Sequence, residues 1–330
     1  MSREKILVIG SNSFSGASFV GYALQDGAEV VGTSRSPEPS DVFLPYKWVP
    51  HDRFTFHQLD LNIHLDETME LVNSFKPDYV VNFAAQSMVP QSWQHPEHWY
   101  MTNVVSMVKL HDRLRKCDFI KKYVQISTPE VYGNTSGLVG EDTPYNPSTP
   151  YAASKAACDM SLMTFVKAYG FPVVFTRAAN VCGPGQQLYR IIPRTIFCIM
   201  AGEKLKLQGG GVSVRSFIHM KDVSSGTLQA ARAGQAGEIF HLSTDRRISI
   251  RDLVQMICDV MGESFDKHVE VAEGRLGLDA AYLLDYAKAR KQLGWEPVVS
   301  LETIISDNVD WMRKNWDEIR RQPRDYIHKP

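Results

Sequence analysis

No stretch of the 330 residues stays apolar for the roughly 18 positions a membrane-spanning helix needs, so a transmembrane protein is not expected. Neither sign of charge is in excess. The 36 Lys and Arg are matched by 37 Asp and Glu, for a net charge of −1. Such a balance suggests no nucleic-acid and no membrane-surface partner. Cysteine is scarce, and the five residues (Cys117, Cys158, Cys182, Cys198, Cys258) are scattered and odd in number. Their spacing fits neither a disulfide framework nor a metal site, so reduced thiols, no metal and a cytoplasmic protein are expected. The opening Met1-Ser2-Arg3-Glu4-Lys5 runs directly into a strand pattern, and no signal peptide is expected. Internal repeats and low-complexity segments are absent as well.

What is present is alternation. Apolar strand-like runs at 5–9, 29–32, 54–59, 79–83, 123–126 and 172–177 alternate with helical patterns at 16–25, 65–75, 99–114 and 151–169. Continuous apolar strands separated by helices predict a parallel sheet covered on both faces, that is, an α/β doubly wound fold. After Asn180 the pattern changes at the turn Gly183-Pro184-Gly185, and 185–211 is richer in Arg, Lys and Gly. Apolar runs at 216–219 and 239–242 read as strands returning to the main sheet. The division expected is a dinucleotide-binding domain over 1–180, with returning segments near 215–245, and a smaller, interleaved α+β lobe for the substrate over 181–330.

The loop after the first strand, Gly10-Ser11-Asn12-Ser13-Phe14-Ser15-Gly16, opens the first helix. Glycines there let the backbone turn tightly and approach a pyrophosphate at the helix N-terminus. The middle glycine usual in such loops is replaced by Ser13. The second strand ends Gly32-Thr33-Ser34-Arg35-Ser36 and lacks the acid that holds both ribose hydroxyls of NAD. Ser34 and Arg35 suit a 2′-phosphate instead, which favours NADP over NAD. Asp60 and Leu61, after the third strand, are placed for the adenine.

Two further stretches carry chemistry. Tyr151 and Lys155 stand four apart in a helical pattern, so a phenol and an ammonium share one face. The ammonium favours the phenolate, which makes the tyrosine a base near neutral pH. Thr128 and Glu130 follow the apolar run at 123–126, where side chains project into the cleft of an open α/β sheet. A hydroxyl, a carboxylate, a phenol and an ammonium in one cleft suit oxidation and elimination on a sugar.

At these residues the chain resembles the extended short-chain dehydrogenases/reductases of the nucleotide-sugar epimerase/dehydratase group, most of all the dTDP-glucose and GDP-mannose 4,6-dehydratases. The resemblance runs nearly the whole length. Asn82-Phe-Ala-Ala-Gln86-Ser87 resembles the strand-4 motif whose backbone lines the cofactor, here Ala84, Ala85 and Gln86. Ser127-Thr128-Pro129-Glu130-Val131-Tyr132-Gly133 resembles Ser-Thr-Asp-Glu-Val-Tyr-Gly, and Tyr151-Ala-Ala-Ser154-Lys155 resembles the catalytic pair. Asn180-Val-Cys-Gly-Pro184, the segment Val214-Arg215 to Asp222, Arg275-Leu-Gly-Leu-Asp279 and Leu293-Gly294-Trp295-Glu-Pro297 resemble the later motifs. The departures are Pro129 for the aspartate acid of dTDP-glucose dehydratases, Met88 for a histidine, Ser13 for glycine, Leu276 for proline and Leu278 for histidine. GDP-mannose dehydratases likewise keep Thr and Glu with no Asp between them.

The resemblance implies a reaction. Oxidation at C4 makes C5–H acidic; water then leaves across C5–C6, and hydride returns to C6. Tyr151 would take the 4-hydroxyl proton, Lys155 would hold the phenolate and the nicotinamide ribose, Thr128 would polarise the C4 oxygen, and Glu130 would take the C5 proton. The cofactor, NADP or NAD, would be tightly bound and recycled. Ser87, Asn180, Arg190, Arg215 and Arg275 are the candidates for the substrate, a nucleoside-diphosphate sugar, because guanidinium forks suit phosphates; Arg194 lies in the same helix-like stretch as Arg190. Trp93, His95, His98 and Trp99 are expected to pack the helix before Tyr100, with an edge of the sugar pocket as the sharper alternative, and His219 and His241 to lie in the core. The competing readings are a nucleotide-sugar 4-epimerase, a nucleotide-glucuronate decarboxylase and a non-catalytic NAD(P) binder. Glu130 speaks against the epimerase, which needs no base at C5. A homodimer through the helices at 99–114 and 151–169 is also expected.

Overall fold

A computed structural model describes residues 3–135, 137–273 and 283–330. Its centre is a seven-stranded sheet, parallel throughout. The first five strands are β1 (Lys5–Ile9), β2 (Glu29–Ser34), β3 (Phe54–Gln58), β4 (Tyr79–Asn82) and β5 (Lys122–Ile126). Together with the strands Val173–Ala178 and Ile239–Leu242 they run, edge to edge, Ile239–Leu242, Val173–Ala178, β5, β4, β1, β2, β3. Ile6, Leu7, Val8, Val80 and Val81 are fully buried, because helices cover both faces. On one face, α1 (Phe14–Gln25) packs with the helix Met220–Ala233. On the other lie α2 (Leu65–Phe75) and the long helix Pro150–Tyr169, whose Met69, Val72, Cys158 and Leu162 share a core with Leu7, Val80 and Tyr123. Strand order reverses between β1 and β4, and the cleft opens there, beyond the carboxyl ends of the strands.

A second apolar core is built from the helices Ile191–Ala201, Ile250–Met261 and Leu301–Lys314, including Ile196, Ile257, Ile304, Val309 and Met312. Small two-stranded ladders flank it, among them Leu205–Gln208 with Val269–Ala272.

Two elements differ from the sequence reading. The run at 239–242 does join the main sheet, but the strand Phe217–His219 pairs with Asn180–Cys182 in a ladder of its own. Ile239–Leu242 already occupies the free edge of Val173–Ala178. The backbone then changes partner within one residue: Ala179 N donates to Leu242 O, and Asn180 N to Ser216 O. The helix expected over 99–114 is Pro96–Tyr100 and Met107–Leu114 joined by a π-helical segment, Met101–Ser106. No helix among the described residues is long and apolar enough to cross a membrane. All five cysteines are free.

Candidate active site

The loop between β1 and α1 is shaped by its two glycines. Gly10 has φ +84°, and a Cβ there would lie 2.6 Å from Ala84 N, so the loops after β1 and β4 meet through bare backbone. A Cβ on Gly16 would lie 2.1 Å from Gly10 O. Ser13 needs no glycine: its φ is −72°, and it caps α1, with Oγ accepting from Gly16 N at 3.0 Å and donating to Gly10 O at 2.8 Å. The loop thus keeps a bare backbone cradle at a helix N-terminus, the arrangement that receives a pyrophosphate. Beside it, Asn12 N donates to Ser34 Oγ at 3.0 Å and Asn12 Nδ2 to Ser36 O at 3.1 Å. Asp60 is engaged locally, accepting from Asn62 N at 2.9 Å, and Leu61 is buried beside it.

Across the strand ends lies a cleft of about 1340 Å³. Thr128, Glu130, Tyr151 and Lys155 all line it, as do Ser13, Phe14, Ser15, Ala85, Ser87, Asn180, Arg190 and Arg215. Arg194, Tyr189 and Trp93 line it too. Arg275, with Leu276 and Leu278, lies outside the described residues. Trp99 is fully buried as expected, whereas Trp93 is 61% exposed at the edge of the cleft.

The geometry of the catalytic candidates follows from two caps. Thr149 caps the long helix by accepting from Ala152 N at 3.1 Å, and Pro150 fills its first position, so Tyr151 sits in the first turn. Lys155, one turn on, is 4% exposed and donates to Ile126 O at 2.8 Å. Burial pulls its pKa below the ordinary lysine value, and the charge of Arg177 adds to this against the pull of Asp159. Thr128 caps a short 3₁₀ turn, Pro129–Tyr132, accepting from Glu130 N at 3.2 Å. Pro129 stands at the first position of that turn, where no amide hydrogen is needed, and holds Glu130 against Thr128.

Sequence reasoning missed three parts of the site. The first is Asn103, in the π-helical segment. Its Oδ1 accepts from Gln86 N at 2.8 Å, and its Nδ2 donates to Gln86 O at 3.0 Å and to Ser154 Oγ at 2.9 Å. One buried amide thus fixes the strand-4 motif to the helix of Tyr151. The widened turn re-aims this side chain, a common use of π segments.

The second is a buried polar network behind the cleft. Arg177 and Asp159 are both fully buried and pair at 3.0 Å. Arg177 also donates to the hydroxyls of Tyr132 and Tyr145, and Ser127 donates to Asp159. Tyr132 is 2.7 Å from His241 Nε2, while His241 Nδ1 is 3.0 Å from Asp285 O. Burial and the Arg177 charge push the His241 pKa down to about 3, so the ring is neutral. The carbonyl can only accept, so Nδ1 carries the proton and Nε2 accepts from Tyr132. His241 is therefore a core histidine, as expected. His219 is half-buried, and its Nδ1 accepts from Lys221 N at 2.9 Å. Because Asp159 lies one turn beyond Lys155, the network anchors the catalytic helix to the strand Val173–Ala178. Arg177→Leu strands a buried carboxylate and is expected to cost about 3–5 kcal/mol in urea unfolding, while Arg177→Leu/Asp159→Leu recovers much of it.

The third is the segment 324–330, which runs from beside the helix Ile191–Ala201 to the loops after β2 and β4. Arg324 pairs with Glu203 and Asp325 with Arg194. Tyr326 meets Tyr189 edge-on at 5.6 Å and lines the cleft. Lys329 O then accepts from Gln86 Nε2 at 2.6 Å, and Arg35 donates to Lys329 O at 3.1 Å and to Pro330 O at 2.6 Å. Lys329 Nζ donates to Ser36 Oγ at 2.8 Å. No periodic or motif signal in 324–330 marks these contacts.

This geometry agrees with what the chain is similar to. The model of the GDP-mannose 4,6-dehydratase family matches residues 7–308. The dTDP-glucose 4,6-dehydratase of Streptomyces antibioticus is 30% identical over 96% of this chain and 96% of its own length. The low-salt glycan biosynthesis protein Agl12 of Haloferax volcanii is 32% identical over 93% of this chain and 97% of its own. Among solved structures, the dTDP-glucose 4,6-dehydratase DesIV of Streptomyces venezuelae, with NAD bound, superposes with a TM-score of 0.87 at 30% identity, covering 95% of this chain and 98% of that one. UDP-glucose 4-epimerase of Thermotoga maritima, with UDP-glucose, follows at TM-score 0.86 and 27% identity, covering 94% and 99%. The chain belongs to the GDP-mannose 4,6-dehydratase family, within the extended short-chain dehydrogenases/reductases that act on nucleotide sugars.

Proposed function

We infer that the chain is a nucleotide-sugar 4,6-dehydratase, converting a nucleoside-diphosphate hexose to its 4-keto-6-deoxy derivative. The observation that carries this reading is Glu130 on the wall of the same cleft as Thr128, Tyr151 and Lys155. The Gly10–Gly16 cradle fits a dinucleotide, and the nicotinamide supplies hydride acceptance at C4 and hydride return at C6. Tyr151 takes the 4-hydroxyl proton. Lys155, held at the end of β5 by Ile126 O, holds the phenolate and the nicotinamide ribose. Thr128 donates to the oxygen at C4, and Glu130 takes the C5 proton. Position 129 offers no acid, so Glu130 also returns the proton that lets the C6 hydroxyl leave as water. Arg190, Arg194 and Arg215 face the same cleft and suit the diphosphate; residues after 181 hold most of the substrate.

DesIV carries NAD. The end of β2 in this chain favours NADP, because it has Ser34, Arg35 and Ser36 and no acid; a 2′-phosphate there would take the place of the Lys329 and Pro330 carbonyls on Arg35. Arg35→Ala is expected to weaken NADP binding by about 10–100-fold and NAD binding little, as read by fluorescence titration of each cofactor. Five free thiols suit the cytoplasm. Exposed Tyr100, Met101, Val105 and Met160, on the helices expected to pair, support a homodimer.

The reading is tested by incubating the protein with a panel of nucleotide sugars and following the products by mass spectrometry. A product lighter by one water is expected. Unchanged mass with altered retention would replace this reading with 4-epimerisation, and loss of carbon dioxide from a glucuronate would replace it with decarboxylation.

A further inference from the structure

No metal is expected from the cysteines, but the fold gathers a different set of donors. His95, Glu97 and His98 present ligand atoms that all lie within 4.8 Å of one another, outside the cleft already described. His95 Nδ1 is 3.9 Å and His98 Nε2 3.6 Å from the same Glu97 oxygen. Donors held about 2.1 Å from a common tetrahedral centre stand about 3.4 Å apart, so small rotations bring these three onto one ion. Two imidazoles and one carboxylate suit zinc and its neighbours and disfavour magnesium and calcium, which take oxygen ligands. The fourth position faces solvent, because His95 and Glu97 are 49% and 67% exposed.

The arrangement continues on the other side of His98. Its Nδ1 lies 2.9 Å from His328 Nε2. The His328 ring lies nearly parallel to buried Trp99, 5.3 Å away, with an angle of 11° between the planes. A ligating histidine ordinarily offers its second nitrogen to such a partner, which fixes its tautomer and orientation. An ion on Nε2 leaves the His98 proton on Nδ1, where it donates to His328. The next residue, Lys329, accepts from Gln86 and Arg35 in the loops after β4 and β2.

We propose that His95, Glu97 and His98 form a site for one zinc-class divalent ion, and that its occupancy clamps the segment 324–330 across the cofactor end of the cleft through His328. The proposal is independent of which sugar nucleotide the cleft takes.

Zinc alone is titrated calorimetrically into the untagged protein near pH 7.5, and cobalt is followed by its visible absorption. One ion per chain is expected. His95→Ala and His98→Ala should each weaken binding at least about 30-fold. His268→Ala, which alters the separate His268–Glu263 pair, should change nothing. His328→Ala should keep the stoichiometry and lower affinity about 10-fold, the usual size of an orienting-partner effect. Zinc should also slow hydrogen exchange over 324–330 in the wild type and not in His328→Ala. No zinc uptake, or uptake unchanged in His95→Ala and His98→Ala, overturns the site. Zinc-independent exchange of 324–330 overturns the clamp.

Discussion

Tyr151→Phe removes one oxygen atom and is expected to lower turnover by about 10³-fold or more, with no reduced nicotinamide formed on the enzyme. The size follows from its place in the sequence of steps. Oxidation at C4 cannot begin until the 4-hydroxyl proton has somewhere to go, and both elimination and hydride return depend on the ketone. The substitution keeps the ring, and the helix that carries it is held by other residues. The first turn of its helix is fixed by Thr149 and Pro150, and the helix body by buried Ala152, Ser154, Lys155, Cys158 and Leu162. Asn103 holds Ser154, and Arg177 holds Asp159. The melting temperature and cofactor affinity of Tyr151→Phe should therefore match the wild type. Lys155→Met should share the kinetic loss but also weaken the contact with Ile126 O, so only the tyrosine substitution separates chemistry from structure. Turnover within about tenfold of wild type in Tyr151→Phe would remove the phenolate from the mechanism.

Much of this site could be read from the chain because the information is local. The loop Gly10–Gly16 fixes its own shape, and Ser13 can replace the usual glycine because it sits at an ordinary φ and works as a cap. Tyr151 and Lys155 follow from helical spacing alone. Thr128 and Glu130 follow from position at the end of a buried strand. What stayed illegible depends on contacts between distant residues. The partner of Phe217–His219 depends on which of two distant strands takes the sheet edge, and neither segment records that. Asn103 sits in an amphipathic run that scores as an ordinary helix, and only the widened turn aims its amide at Gln86 and Ser154. Arg177 lies inside a buried strand, where apolar neighbours hide the need for Asp159, Tyr132 and Tyr145 around it. The segment 324–330 is aperiodic and carries no motif. Its role comes from meeting Gln86 and Arg35, more than two hundred residues away.

Glu130→Gln is expected to behave differently from Tyr151→Phe and to divide the reaction in two. Glutamine keeps the size of the side chain, and the backbone contact from residue 130 to Thr128 does not depend on the carboxylate. The short turn held by Pro129 should persist, and Tyr151 and Lys155 are untouched. Oxidation at C4 therefore proceeds, while abstraction at C5 loses its base. Elimination should fall by about 10³-fold or more. Reduced nicotinamide should accumulate on the enzyme when substrate is added, because the hydride has no C5–C6 double bond to return to. Wild-type product formed in heavy water should carry deuterium at C5, and substrate recovered from the variant should carry none. The same variant discriminates between the two activities found among the structural relatives. A 4-epimerase needs no proton removed from C5, so near-normal turnover by Glu130→Gln with unchanged product mass would assign the chain to epimerisation. Dehydration at the wild-type rate would instead place the C5 base elsewhere on the cleft wall. Loss of dehydration with retained oxidation leaves one assignment: the carboxylate that Pro129 presents beside Thr128 is the group that makes this cleft a dehydratase.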